Sequence, residues 1–121
     1  MDVTVTHAGV RITVMSGPYV GGGSPTPDAV SYYTRLIASL DSIREFAATT
    51  LLNLYNGAWQ CDEIGVLDRA GFVARLGSPA VTLFDEIGTA TVYFEDGEMF
   101  GGHYIEVDLK NGTPTSADIV G

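Results

Sequence analysis

The residues of this chain that could carry chemistry are concentrated in one stretch, EDGEMFGGHY, residues 95–104. The carboxylates of Asp96 and Glu98 precede the imidazole of His103 and the phenol of Tyr104. A histidine beside carboxylates can serve as a general base, and a tyrosine hydroxyl can both donate and accept a hydrogen bond. We therefore take these four residues as candidate binding residues, while the sequence designates no catalytic residue.

The same stretch also has a purely structural interpretation. Asp96-Gly97 is a dipeptide typical of hairpin turns, and the Gly-Gly pair at 101–102 allows a bend where a side chain would be strained. His103 then enters the next strand in phase with its apolar residues. We predict that His103 closes the hairpin, with its ring between a backbone carbonyl of the turn and the edge of the core.

The segments that could bind a metal ion or a cofactor lack the residue types and spacing that such sites require. A calcium loop requires oxygen ligands at alternate positions, which the acidic stretch does not supply. The glycine-rich segment GGGSPTP lacks the Gly-Lys-Ser/Thr ending of a phosphate-binding loop. His7, Cys61, Asp62 and His103 could converge in the fold, but their spacing does not show it. We predict no metal and no cofactor.

The charge of the chain limits the partners it can have. Fifteen acidic residues against six basic ones give a net charge of −9. This balance argues against nucleic acid and against an anionic membrane surface, because both require a basic face. It permits a basic protein partner that is steered in by opposite charge. A simpler interpretation, in which the acidic residues only keep the protein soluble, is left open.

The cellular compartment is indicated by the cysteine count and by the first residues. Cys61 is the single cysteine, so no internal disulfide framework can form. The first ten residues, MDVTVTHAGV, lack the basic region of a signal peptide, and no run of eighteen apolar residues is present. A cytoplasmic protein without a membrane span is the expectation.

The strands that position the candidate residues follow from alternation of apolar and polar side chains. Residues 3–15 alternate with period two, and the Ala8-Gly9 step is either a hairpin turn or a bulge in one long strand. The hairpin is favoured, because glycine tolerates the positive φ of a tight turn. The second half of the chain contains four strand patterns separated by short turns, near residues 80–84, 89–94, 103–109 and 117–120. Consecutive strands joined by short turns pair antiparallel, so we expect a C-terminal meander.

Helices occupy the middle of the chain. Thr26-Pro27 followed by an acid is typical of a helix start, so a helix is predicted from residue 27. Apolar residues then recur at spacings of three and four up to Asn56-Gly57, the expected stop. A capping-box pattern at 42–45 favours two helices, or one kinked helix, broken near residue 41. A third, short helix is predicted over 68–76.

These elements predict a single α+β domain over residues 1–121. Its antiparallel sheet consists of the N-terminal hairpin and the C-terminal meander, with two or three helices packed on one face. The apolar stripes of the helices and strands must bury against each other. The residues predicted to lie in that core are Leu36, Leu40, Phe72, Val92, Ile105 and Val107.

The C-terminal half resembles a bacterial family of unknown function, the domain of unknown function 2262 family. The residues that carry the resemblance are Asp96, Gly97, Phe100, Gly102, His103, Ile105, Ala117, Asp118, Ile119 and Gly121. Gly101 departs from the pattern, because the residue before the Gly-His step is often aromatic in such proteins. The resemblance implies a fold and a bacterial origin, and it carries no known activity.

The function expected from these observations is that of a non-catalytic, cytoplasmic bacterial domain that binds another protein. An immunity-type inhibitor of a basic toxin is its most specific form. The alternative is a small enzyme or ligand-binding protein with a pocket around His103, joined by Tyr104, Glu98 or Cys61. The oligomeric state is left open, a homodimer included.

Overall fold

A computed structural model describes residues 2–121, which form an α+β fold of eight strands and three α-helices. The strands are β1 (Val3–His7), β2 (Val10–Val14), β3 (Val20–Gly21), β4 (Ser24–Pro25), β5 (Pro79–Leu83), β6 (Thr89–Glu95), β7 (Tyr104–Lys110) and β8 (Thr113–Val120). The helices are α1 (Pro27–Ala38), α2 (Leu40–Leu54) and α3 (Arg69–Arg75). The fold class predicted from the sequence is confirmed.

Six strands form the main sheet, in the order β1-β2-β5-β6-β7-β8. Both predicted parts of it are present, since β1 pairs antiparallel with β2 and β5 to β8 form an antiparallel meander. The two parts are joined by β2 and β5, which run parallel. The sheet is therefore mixed, because all three helices lie in the crossover between β2 and β5, and a long crossover is what a parallel pair requires.

The first helix begins where the sequence predicts. The hydroxyl of Thr26 accepts a hydrogen bond from the backbone N–H of Ala29 at 3.2 Å, and Pro27 occupies the first turn. The break between α1 and α2 falls at Ser39, close to the predicted position. Ser42 lies inside α2, so the predicted capping box does not start a helix there. The Gly/Pro-rich segment before α1 contains the small β3–β4 hairpin.

The predicted helix stop at Asn56-Gly57 is wrong, because a π-helical turn, Tyr55–Trp59, continues α2. The side chain of Asn56 does not end the helix. Its amide instead donates to the carbonyl of Leu67 at 2.8 Å and accepts from the N–H of the same residue at 3.0 Å. The Tyr55 hydroxyl donates to the Gly65 carbonyl at 2.8 Å. These side chains dock the following loop against the helix.

The helices cover one face of the main sheet, and the core lies between them. The strand register aligns Ile12, Val81, Val92, Val107 and Ala117 in one row across the sheet, and all are buried. The six residues predicted as core are also buried: Leu36, Leu40, Phe72, Val92, Ile105 and Val107. Within residues 2–121, no helix combines the length and apolar character needed to cross a membrane.

Candidate functional site

The turn between β6 and β7, residues 96–103, is organised by one buried carboxylate. Asp96 is 3% exposed and accepts hydrogen bonds from four backbone N–H groups of its own turn. One oxygen accepts from Glu98 at 2.9 Å, and the other accepts from Phe100, Gly102 and His103 at 3.0–3.1 Å. Four donors satisfy a buried carboxylate, so the first candidate residue holds the turn together rather than facing a ligand.

His103 completes that turn. Its ring Nδ1 lies 2.5 Å from the carbonyl oxygen of Phe100. A carbonyl can only accept, so Nδ1 carries the proton and donates. The ring also packs edge-on against Trp59, with centroids 6.0 Å apart. The bend before it uses glycine where the backbone requires positive φ, +75° at Gly101 and +86° at Gly102. This is the carbonyl contact and the bend that the sequence predicts for His103.

The four candidate residues do not form one cluster. Asp96 is buried within the turn, while Glu98 is exposed on it. Tyr104, which is 50% exposed, opens β7 on the opposite face of the sheet from the buried Ile105. His103 lines neither of two concavities found in the described chain, one beside α1 and one on the main sheet.

The face of the main sheet that the helices leave uncovered carries a group of acidic side chains. Glu106 and Asp108 project there from β7, and Asp118 projects there from the edge strand β8. Glu106 and Asp118 are direct cross-strand partners. Like charges in facing positions destabilise a sheet. We call Glu106, Asp108 and Asp118 the acidic sheet face.

Hydroxyl groups hold two of these carboxylates in place. Thr91 and Ser116 donate to the two oxygens of Asp108 at 2.8 and 3.2 Å. Tyr93 donates to Glu106 at 3.3 Å. The pKa of Tyr93 is raised above its ordinary value of 10.0, chiefly because the ring is desolvated and also because Glu106 and Asp108 oppose a further negative charge. The acidic sheet face is thus ordered by hydroxyl groups, and its carboxylates place negative charge beside Tyr93.

A shallow concavity of about 280 Å³ lies on the same uncovered face. Arg11, Tyr93 and Tyr104 are among its lining residues. Tyr104 therefore keeps its place as a candidate binding residue, but its neighbours are residues of the sheet face and not His103. The period-two pattern of β7 indicates Glu106 and Asp108, whereas only the register of β8 shows that Asp118 faces Glu106.

A cavity of about 550 Å³ lies elsewhere, between α1 and three loops. Its lining includes Tyr19 from the first loop, Gly88 from the β5–β6 turn and Gly112 from the β7–β8 turn. Asp28, Ser31, Tyr32, Arg35 and Ser39 line it from α1 and its C-terminal end. We call this the helix–loop cavity. No pattern in the sequence indicates this cavity, because its walls are far apart along the chain.

Two tyrosine hydroxyls tie the walls of the helix–loop cavity together. The Tyr32 hydroxyl donates to the Gly88 carbonyl at 2.7 Å and accepts from the Gly112 N–H at 3.1 Å. The Tyr19 hydroxyl accepts from the Gly88 N–H at 3.0 Å, and the two rings meet edge to face with centroids 5.8 Å apart. Burial raises the pKa of Tyr32 above 10.0, which keeps its hydroxyl proton in place as a donor.

Gly88 is required at its position in this wall. Its φ is +88°, and a Cβ atom there would collide with the side-chain oxygen of Asn111. The backbone N–H of Asn111 donates to the Gly88 carbonyl at 2.7 Å, which brings the two turns together. The wall that these two turns form is therefore backbone held in place by hydrogen bonds.

Residues that could ligate a metal do not gather in the described chain. Within residues 2–121, no group of three or more His, Cys, Asp or Glu side chains is arranged to hold a metal ion. Of the residues whose convergence the sequence leaves open, Cys61 is an exposed free thiol, His7 lies beside the ring of Tyr33 and His103 lies beside Trp59.

Comparison with known proteins identifies the family but no better-characterised relative. No curated protein and no solved structure matches the chain. A family described as "Uncharacterized protein conserved in bacteria (DUF2262)" matches residues 25–119. The match is wider than the C-terminal half that carries the resemblance in the sequence, since it also includes α1 to α3. The chain belongs to this bacterial family, DUF2262.

Proposed function

We propose that this domain is a non-catalytic binding protein whose partner is a basic protein. The observation that carries the proposal is the acidic sheet face, where Glu106 and Asp118 stand opposite each other on an uncovered sheet. Placing like charges there costs stability. A cationic partner group between the two carboxylates would remove that cost on binding, and it would add charge-assisted hydrogen bonds.

The surroundings of the acidic sheet face suit a protein interface. Tyr104 is half exposed at the end of β7, and Tyr93 lies beside Glu106. Tyrosine is enriched at protein interfaces because it combines a large apolar ring with a polar end. The concavity lined by these two rings offers a place for a partner side chain. Carboxylates already fixed by hydroxyl groups lose little conformational entropy on binding.

An immunity-type protein that neutralises a basic toxin is the most specific form of the proposal. A net charge of −9 would attract a basic protein from a distance and raise the association rate. The cytoplasm is the compartment we propose, and the free thiol of Cys61 suits its reducing conditions.

A comparison of two triple variants tests the proposal. The first, Glu106→Gln/Asp108→Asn/Asp118→Asn, removes the charges of the acidic sheet face. The control removes the same number and types of charge from exposed positions elsewhere: Asp41→Asn, Asp62→Asn and Glu63→Gln. Both variants and the wild type are immobilised and exposed at low salt to lysate of a bacterium that encodes the chain. Retained proteins are identified by mass spectrometry and then purified for calorimetry.

We expect a basic protein that the wild type and the control variant retain and the sheet-face variant loses. With purified partner, the sheet-face substitutions should weaken binding by about tenfold or more, and added salt should weaken wild-type binding steeply. Equal affinity for both triple variants would contradict the proposal. So would a search in which no basic protein is retained.

A further inference from the structure

The helix–loop cavity is separate from the acidic sheet face and is built like a small-molecule site. Its volume of about 550 Å³ lies within the roughly 300–1,000 Å³ typical of ligand pockets. Tyr19 and Tyr32 fix its floor by hydrogen bonds to the backbone of the two turns that form its far wall. A cavity that exists before the ligand arrives avoids the entropic cost of ordering its walls.

The charges of this cavity are separated and unpaired. Asp28 and Arg35 are seven residues apart on α1, which is about two turns, so both project toward the cavity about 10 Å apart along the helix axis. The two ion pairs found within residues 2–121 are Asp41–Arg44 and Glu45–Arg69, and neither includes these residues. The cavity therefore has a negative end at Asp28 and a positive end at Arg35.

The rest of the lining fits a ligand with a polar backbone and small apolar groups. Ser31 lies between the charged ends on α1, and Ser39 lies just beyond Arg35. Pro18 and Ile87, the latter 67% exposed, provide apolar surface at the mouth of the cavity. Such a mixture of a few placed polar groups and apolar surface is typical of sites that fix the orientation of a small molecule.

We propose that the helix–loop cavity binds a small zwitterion of about tripeptide length. Its carboxylate would pair with Arg35, whose guanidinium matches a carboxylate in a bidentate fashion, and its ammonium group would pair with Asp28. Three residues of extended chain span about 10 Å, which corresponds to the separation of the two charged positions along α1. The Ser31 hydroxyl between them, and that of Ser39 just beyond Arg35, can bond to the ligand's peptide groups.

Trialanine and its two blocked forms test this proposal directly. Trialanine carries both charges, N-acetyl-trialanine lacks the ammonium charge, and trialanine amide lacks the carboxylate charge. Binding is measured by isothermal calorimetry and by NMR shift changes in α1 and in the turns at 85–88 and 110–112. Trialanine should bind, and each blocked form should bind about tenfold more weakly or worse.

Charge-removing variants complete the test. Arg35→Gln should weaken trialanine binding and leave the affinity for trialanine amide unchanged. Asp28→Asn should weaken trialanine binding and leave the affinity for N-acetyl-trialanine unchanged. Both residues are exposed in the terminal turns of α1, so the unfolding midpoint should fall only slightly, through the lost interaction with the helix dipole. Arg11→Gln, a matched change on the sheet face, should not alter trialanine binding.

Absence of binding at millimolar trialanine, or equal binding of all three peptides, would overturn the proposal. NMR shift changes confined to the sheet face would overturn it as well. The outcome is independent of the proposed protein partner, because the sheet-face triple variant should bind trialanine like the wild type. Loss of protein binding in that variant with unchanged trialanine binding would show two separate sites.

Discussion

At the scale of single residues, Asp96 shows how one carboxylate can define a whole turn. Its side chain accepts hydrogen bonds from four backbone N–H groups within residues 98–103. These groups lie outside any strand or helix, so the carboxylate supplies the hydrogen bonds that a strand or helix would otherwise provide. Burial would be costly for a carboxylate without such donors. The buried acidic residue of this stretch therefore stabilises the turn of the hairpin.

Asp96→Asn should destabilise the protein by about 1–3 kcal/mol. An asparagine offers one oxygen and an NH₂ group, so at least one of the four backbone donors would face another donor and lose its partner. Urea unfolding followed by circular dichroism measures the change. Glu98→Gln, at an exposed position of the same turn, should alter the free energy of unfolding by less than about 0.5 kcal/mol. Equal effects of the two substitutions would show that the buried carboxylate is not what holds the turn.

The pKa of Tyr93 is sensitive to the negative charge of the acidic sheet face. Its pKa is raised by desolvation first and then by Glu106 and Asp108. A tyrosine whose pKa is raised in the folded state binds its proton more tightly there than in the unfolded chain. Its contribution to stability is therefore complete below pH 10.0, the ordinary value, and is lost as pH rises through the folded pKa.

Glu106→Gln should bring the Tyr93 pKa closer to 10.0, because it removes both the nearest charge and a carboxylate that the hydroxyl donates to. Ultraviolet absorbance of tyrosinate, with Tyr93→Phe to assign the signal, measures the titration. Glu98→Gln should leave it unchanged, since that residue lies in the turn and not on the sheet face. An unaltered Tyr93 titration in Glu106→Gln would mean that Glu106 does not contribute to the raised pKa.

At the scale of elements, the pairing of β7 with β8 combines a repulsive pair of charges with stabilising hydrogen bonds. Seven residue pairs connect the two strands, with one irregularity between Asp108 and Leu109. Within this ladder the Glu106–Asp118 pair is repulsive, while Asp108 is held by hydroxyl groups of both neighbouring strands. The two strands stay paired despite this repulsion, because the other hydrogen bonds of the ladder and the burial of the opposite face stabilise the pairing by more than the repulsion costs.

Asp118→Asn should therefore stabilise the isolated protein, by about 0.2–1 kcal/mol at low salt. The gain should shrink as salt is added, because both carboxylates are accessible to solvent and their repulsion is screened. Thermal unfolding at two salt concentrations measures both effects. Asp62→Asn, an exposed acid outside the sheet, provides the baseline for losing one negative charge. If the two substitutions have the same effect, the cross-strand repulsion is not a significant cost.

At the scale of the whole molecule, the excess of acids over bases acts on the fold itself. The net charge of −9 produces self-repulsion in the compact state, and two of the six basic side chains are already engaged in exposed ion pairs. Exposed ion pairs contribute little, so screening them costs little. Screening the surplus of negative charge should have the larger effect.

Added sodium chloride should accordingly raise the thermal unfolding midpoint from its value at low ionic strength. The sheet-face triple variant should respond less than the wild type, since it lacks three of the negative charges. Calorimetric scans over a salt series measure the response. A midpoint that falls with salt, or a variant that responds as strongly as the wild type, would show that attractive pairs dominate the surface.

The sequence by itself determined the local structure and the buried faces. Period-two alternation gave the hairpin and the meander, Thr26-Pro27 gave the start of α1, and the apolar stripes gave the six core residues. These features depend on neighbours in the chain, so backbone propensity and the need to bury one face are sufficient to predict them. The resemblance seen in residues 96–121 identified the family.

Only the tertiary structure decided where a ligand or partner could bind. The parallel pairing of β2 with β5, the contact of Asp118 with Glu106 and the helix–loop cavity all join segments far apart along the chain. The Tyr32 hydroxyl, for example, bonds residues 56 and 80 positions away. Such contacts depend on the register and packing of the whole sheet, and no local pattern of residue types encodes them.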